Sequence, residues 1–306
     1  QRQMCIRDRK KPVLPRMKKY AGFYVLFLPV LAFLVVFHYL PMFGIYYSFT
    51  KYTIIKDPVW VGLANFERLF AMPNFWNAFQ NTLELSVVKL LLTTTFSVVL
   101  SLLLNEMRNV VYKRTLQTLV YLPYFISWVA LAGIFLDVLS MDGVVNQLIT
   151  ALGLEPVYFL GDERIFPYTM VVTDVWKNFG WNAIVYLAAI TSVDPSLFEA
   201  AYLDGAGRFR QVLHVTLPTI MPIIMLTTIL SIGNVLRAGF DQIFNLYSPL
   251  VYSTGDIIDT FVYRLGILSA QFGPATAVGL FQSLVSFVLI AVSYTHLRAH
   301  ETGAYL

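Results

Sequence analysis

Ala21-Gly-Phe-Tyr-Val-Leu-Phe-Leu-Pro-Val-Leu-Ala-Phe-Leu-Val-Val-Phe-His-Tyr-Leu-Pro-Met-Phe-Gly-Ile-Tyr-Tyr-Ser-Phe49 is a run of 29 residues without one charged side chain. About 20 apolar residues suffice for a helix to cross the hydrocarbon core of a bilayer, and a signal-peptide core is shorter than this. The whole chain agrees with that reading. Of its 306 residues 57% are hydrophobic and 13% charged, about half the charged share of a soluble domain.

Five further apolar runs, 85–104, 115–136, 165–190, 215–236 and 274–292, follow the first, at 21–49. In lipid the backbone must satisfy its own amides, so each is expected to be a helix. The expected fold is all-α and integral to the membrane, with six transmembrane helices over 21–292. Basic residues set the orientation. With the N-terminus inside, the inner segments carry thirteen: eight among the first 19 residues, then Arg108, Lys113, Arg114, Arg208 and Arg210. The outer segments carry Lys51, Lys56, Arg68, Arg164 and Arg264. The positive-inside rule then predicts cytoplasmic termini, with 10–20 as a basic cytoplasmic segment.

The two ends break the pattern. Residues 1–9 and 293–306 lack periodicity and resemble translated sequencing-adapter read-through, so both are expected to be non-native. This sets aside Cys5, His296 and His300. Cys5 is the only cysteine, which excludes an internal disulfide and a thiolate metal cluster.

Between the fourth and fifth runs lies Asp194-Pro-Ser-Leu-Phe-Glu-Ala-Ala-Tyr-Leu-Asp-Gly-Ala-Gly-Arg-Phe-Arg-Gln-Val-Leu-His-Val-Thr-Leu-Pro218. Ser196 followed by Glu199 predicts a capping box, and Pro195 ends the preceding helix. Phe198, Ala201, Tyr202 and Phe209 can form one apolar face, and Asp204-Gly205-Ala206-Gly207 predicts a bend. The expectation is two short helices joined by a turn at the membrane face.

This segment resembles the EAA loop of binding-protein-dependent importer permeases. Glu199, Ala200, Ala201, Asp204, Gly205, Ala206, Leu217, Pro218 and Pro222 match in register. Val212 stands where the family usually has Phe, with Phe209 the nearest aromatic. The resemblance extends from about Lys18 to Val292. Tyr121-Leu-Pro-Tyr-Phe-Ile-Ser-Trp128, Ile243-Phe-Asn-Leu-Tyr247 and Phe272-Gly-Pro-Ala-Thr-Ala-Val-Gly279 are similar to the oligosaccharide and polysaccharide branch of the sugar importers, maltose permease included.

The resemblance implies a type I ATP-binding-cassette permease in a bacterial inner membrane. It implies four partners besides lipid: a second homologous permease, a dimer of cytoplasmic ATPases, and an extracytoplasmic solute-binding protein. ATP and magnesium would sit on the ATPases. In this reading Glu199, Ala200, Ala201, Asp204, Gly205, Ala206, Phe209, Leu217 and Pro218 form the ATPase-coupling loop.

Sugars are held by amide side chains against hydroxyls and by aromatic faces against C–H surfaces. Trp128, Trp176, Asn178, Trp181, Asn182 and Asn234 are the candidates for the substrate path, although an interfacial aromatic belt accounts for the tryptophans equally well. Asp174 and Lys177, three residues apart, are expected to neutralise one another. Lys89 is expected to snorkel to the outer interface. No Gly-x-x-x-x-Gly-Lys-Ser/Thr loop is present, and neither His38 nor His214 has a partner at metal-ligand spacing. No catalytic, metal or cofactor residues are expected, no nucleic-acid partner and no enzyme activity. The rival readings are an ion-driven secondary transporter, a membrane-embedded enzyme, and an importer of the same class for a non-sugar solute. A secondary transporter would usually show inverted-repeat symmetry and broken helices at the midplane, and the sequence displays neither.

Overall fold

The computed structural model describes residues 20–53 and 55–303, with 294–303 as backbone alone. The expectations for 1–9, for 10–19 and for 304–306 fall outside the described residues. Helix α1 (Ala21–Leu34) passes through a π turn at Val35–Tyr39 and a 3-10 stretch at Phe43–Phe49, so the first apolar run is helical throughout but not uniform. None of the residues of α1 is buried within this chain, as suits a helix whose surroundings are lipid or another subunit. A short hairpin follows. Strand β1 (Thr50–Thr53) pairs antiparallel with β2 (Lys56–Trp60), setting Thr50 opposite Trp60 and Lys51 opposite Val59. Helix α2 (Ala64–Phe70) holds the hairpin's base, because buried Asn65 donates from Nδ2 to Ser48 O at 2.8 Å and Thr50 O at 2.9 Å.

Helix α3 spans Pro73–Glu106, 34 residues, and so begins well before the apolar run at 85. Its polar first half is used rather than solvated: Asn81 Nδ2 donates to Ser253 O at 3.1 Å and Asp256 O at 3.0 Å. Lys89 lies near the midpoint of this helix and is buried. Snorkelling does not occur, because the added turns place the ammonium far from the helix end.

The third run is not a single crossing helix. It divides into α4 (Val110–Tyr121), a 3-10 turn at Leu122–Phe125, and α5 (Trp128–Val138), bent by 102°. Pro123 opens the turn, Ile126 and Ser127 are extended, and Ser127 Oγ accepts from Ala130 N at 3.3 Å to cap α5. The bend at Ile126–Ser127 is one that the unbroken apolar run over 115–136 did not display.

Helix α6 (Val144–Ala151) and helix α7 (Phe166–Thr191) follow, α7 matching the fourth apolar run within one residue. Beyond α7 come α8 (Pro195–Leu203), α9 (Arg208–Gln211), a π turn at Val212–Thr216, and α10 (Leu217–Ile232). Then α11 (Phe240–Leu246) and α12 (Ile258–Tyr263) form a compact excursion before α13 (Phe272–Gly303). The backbone of α13 stays helical past Val292, where the apolar run ends. Among the described residues four helices are long and apolar enough to cross a membrane, or up to six if each of the two bent pairs is one span.

Helices α3 and α7 form the centre. Ser97 Oγ on α3 lies 2.6 Å from Thr93 O and 2.8 Å from Phe179 O on α7, a polar contact of the kind that joins helices in lipid. Helix α4 approaches α7 at Gly180 so closely that a Cβ there would stand 2.3 Å from Val120 O. Around this pair, Phe166, Met170, Ile243 and Ile257 pack in one apolar cluster, and Leu69, Phe75, Leu236 and Ile258 in another.

Candidate functional site

Two regions carry chemistry: the 194–218 segment at one end of the bundle, and a polar strip at mid-depth. At the first, Asp194 rather than Ser196 caps α8. Its carboxylate accepts from Ser196 N at 2.9 Å, with Pro195 as the first helical residue. The expected Ser196–Glu199 capping box does not form, because the proline fixes the helix start two positions earlier. Hydrogen bonding from the Ser196 backbone and side chain holds the Asp194 carboxyl below its usual range.

The far end of α8 closes in a Schellman motif. Ala206 N donates to Ala201 O at 2.9 Å and Gly205 N to Tyr202 O at 3.0 Å, with Gly205 at φ +77°. Three of the matched residues, Ala201, Gly205 and Ala206, thus build the turn itself. The turn leaves Leu203 85%, Tyr202 75% and Phe209 75% exposed at the tip. Glu199, Ala200, Asp204 and Pro218 are also exposed, and Leu217 is half-buried. On the other side of α8, Phe198 packs against Ile190, Val193 and Ile220 and anchors the segment to α7 and α10. Arg208 pairs with Glu106 at the end of α3 at 3.5 Å, an exposed contact.

The six candidates for a substrate path do not form one cluster. Three aromatics gather about the break between α4 and α5. Trp181 stacks on Tyr124 (centroids 4.6 Å, planes 4° apart), Trp128 lies 5.6 Å from Lys177 Nζ, and Trp176 meets Phe135 edge-on at 5.8 Å. Asn178 donates to Asp174 O of its own helix at 3.0 Å, and Asn182 is exposed on α7. Asn234 is apart from these, lining a cavity of about 180 Å³ with Ser86, Lys89, Asp174 and Arg237.

The expected Asp174–Lys177 pairing is not what holds either residue. Lys177 Nζ donates to the carbonyls of Pro123 (3.2 Å), Tyr124 (2.8 Å) and Ile126 (2.6 Å), the group of acceptors left open by the helix break. Asp174 faces α3 instead, with Oδ1 3.9 Å from Lys89 Nζ. Lys89 Nζ in turn donates to Ala238 O at 2.8 Å and to Gln242 Oε1 at 2.6 Å. Gln242 Nε2 completes the network at Met170 O (2.7 Å) and Thr173 Oγ1 (2.8 Å). Sequence reading missed Gln242 and Arg237. Their one signal was polarity just beyond an apolar run, at a place where a charge balance counted only Arg264.

Among the described residues no three His, Cys, Asp or Glu side chains come together in a metal-binding arrangement.

Comparison with known proteins bears on the chain as a whole. Residues 96–299 match the family described as "binding-protein-dependent transport system inner membrane component". The polygalacturonan/rhamnogalacturonan transport system permease protein YteP of Bacillus subtilis (strain 168) is 38% identical over 291 residues, covering 94% of this chain and 91% of that protein. Protein LplB of the same organism is 40% identical over 278 residues, covering 90% and 87%. Among solved structures, a chain of a bacterial transporter for import of the acidic polysaccharide alginate superposes with a TM-score of 0.88 at 37% identity, covering 94% of this chain and 99% of that one. A second, the alginate transporter in complex with its alginate pentasaccharide-bound periplasmic protein, gives a TM-score of 0.86 at 37% identity, covering 92% and 96%.

Proposed function

This chain belongs to the family of binding-protein-dependent transport system inner membrane components, and from that premise we propose that it is the permease subunit of an ATP-binding-cassette importer for a saccharide. It is a multi-pass inner-membrane transport component and not an enzyme. The names of the curated relatives and the alginate complex with its sugar-bound periplasmic protein support a saccharide cargo delivered by such a protein. In this reading a second homologous permease completes the translocation path. Two cytoplasmic ATPases, holding ATP and magnesium, supply the energy.

The observation that carries the coupling role is the tip of the 194–218 segment. Leu203, Tyr202 and Phe209 stand exposed on a turn whose backbone hydrogen bonds are complete. A rigid knob with an apolar end suits a groove in a partner. Closure of the ATPases on nucleotide would push this knob, and Phe198 would pass the movement to α7 and α10 through the apolar contact beneath it. In this reading the segment lies on the cytoplasmic side, and both termini with it. The path would run along the mid-depth strip of Asn178, Asn182 and Asn234, with Trp128, Trp176 and Trp181 at the helix break. Glu199 and Asp204, exposed beside the knob, supply its charged rim.

The test is reconstitution in liposomes with the cognate permease, ATPases and binding protein. Leu203→Asp and Gly205→Asp should abolish ATP-driven saccharide uptake and release the ATPases on purification, with the permease still inserted. Wild-type transport by both variants would reduce the segment to a turn. Saccharide accumulation by the wild type without ATPase would show an ion-driven carrier and overturn the importer reading.

A further inference from the structure

The turn at 233–239 is built around one exposed cation. Leu236 and Ala238 are buried, and Arg237 between them is exposed. Each flanking carbonyl is held by a side chain from a different helix. Gln282 Nε2 of α13 donates to Leu236 O at 2.7 Å, and Lys89 Nζ of α3 donates to Ala238 O at 2.8 Å. Arg237 N closes on Asn234 O at 2.8 Å. Gly239 then turns away at φ +95°, with Lys89 Nζ 3.5 Å from where a Cβ would stand. The guanidinium is therefore mounted on a backbone fixed from both sides.

Depth gives that mounting its meaning. Lys89 is buried within the apolar run 85–104 of α3, so the Ala238 carbonyl it binds, and Arg237 next to it, stand against the membrane-spanning part of the bundle. A charge at that depth is costly against lipid and is found facing a water-filled path or a counter-charge. Among the described residues no carboxylate lies within 4.0 Å of Arg237. Asp174, in the same cavity, is 3.9 Å from Lys89. Asp259 is near enough to interact with the charge of Arg237, and its Oδ1 accepts from Gln282 at 3.1 Å. Asp241, at the start of α11, is exposed. The cavity itself is lined by two cations and one carboxylate.

We propose that Arg237 is a specificity-determining residue that receives a carboxylate of the passing saccharide, so that the cargo belongs to the uronate-bearing oligosaccharides. A guanidinium offers a planar fork of donors that matches a carboxylate in bidentate fashion, which an ammonium cannot do. Asn234, exposed beside it, is suited to a neighbouring hydroxyl. The inference rests on the importer reading above.

Its test compares labelled trigalacturonate with its methyl ester in the reconstituted complex, using wild type, Arg237→Gln and Arg237→Lys. The binding protein is the same throughout, so its own preference cancels when the acid-to-ester ratio of a variant is divided by that of the wild type. Arg237→Gln should lower trigalacturonate uptake about tenfold or more, the scale of a lost charged hydrogen bond, and leave ester uptake within about twofold. Arg237→Lys should fall between wild type and Arg237→Gln for the acid. An equal loss of both probes in Arg237→Gln would make Arg237 structural, acting through Asp259, and would overturn the proposal. So would undiminished acid uptake. Wild-type uptake of the ester or of maltotriose, but not of the acid, would overturn the uronate assignment alone. A wild type whose complex neither hydrolyses ATP in response to the binding protein nor needs the ATPases for uptake would overturn the importer reading beneath it.

Discussion

Lys89 and Asp174 are an ion pair by distance, yet the two residues are not equivalent. Lys89 Nζ is also bonded to Ala238 O and Gln242 Oε1, and so ties α3 to the end of the 233–239 turn and to α11 beyond it. Lys89→Met should lose about 3 kcal/mol of stability, since it strands a carbonyl, an amide oxygen and a carboxylate inside the bundle. Asp174→Asn should lose about 1 kcal/mol, because Lys89 keeps its two closer partners. Thermal unfolding of the detergent-solubilised permease measures both, and equal losses would show that the 3.9 Å contact dominates. Lys177 makes the parallel case: Lys177→Met removes the donor to three carbonyls, and Lys177→Arg should restore most of the lost stability. The sequence displayed all three charges within apolar runs. What it hid was their partners, because spacing along one helix reveals neighbours three or four residues apart and says nothing of the helix packed across from them. Hence the pairing of Asp174 with Lys177 followed from periodicity, and α3 and the α4–α5 break supplied the true contacts.

At the level of elements, two glycines separate conformational from steric demand. Gly205 sits at φ +77° with open space around its missing Cβ, so Gly205→Ala should cost about 1 kcal/mol through backbone strain alone. Gly180→Ala should cost more, because its methyl would press on the Val120 backbone at 2.3 Å and part α4 from α7. Hydrogen exchange should show the first effect confined to the 194–218 segment and the second spread over the α4–α7 contact. Asp194 adds a pH dependence. Its folded pKa is depressed, so its capping contribution is complete above the unfolded value, about 3.9, and is lost as pH falls through the lower folded value. Protease nicking of α8 should therefore be faster for Asp194→Ala than for wild type at neutral pH, with the difference vanishing in acid below that range. The two short helices of the 194–218 segment were legible because their signals are local: a proline start, a glycine turn, an apolar face. The break at Ile126–Ser127 was not, although Pro123 and Ser127 mark it, because an unbroken apolar run over 115–136 masks a turn whose open carbonyls are satisfied by a lysine more than fifty residues away.

For the molecule as a whole, apolar content decided the solvent, and the six apolar runs decided the number of crossings to within the ambiguity of the two bent pairs. Composition cannot say which exposed side chains meet lipid and which meet water, since both appear as surface in a single subunit. The polar strip resolves this by cost: Asn182, Asn234 and Arg237 are exposed on the crossing helices or the turn between them, and amides and a guanidinium facing hydrocarbon would be strongly unfavourable. Leu284 and Phe287, exposed on α13, have no such objection to lipid or to an apolar subunit contact. The chain's single cysteine, Cys5, makes the distinction measurable after one replacement. In a Cys5→Ser background, Asn182→Cys and Asn234→Cys should react in membranes with a charged, water-borne thiol reagent, while Leu284→Cys and Phe287→Cys should not. Saccharide added with the binding protein and ATPases should slow reaction at 234, because the cargo would cover the cavity that this residue lines with Arg237. Labelling at 284 and 287 with protection at 182 and 234 would move the aqueous path to the α13 face, and with it the surface on which cargo selection has to be sought.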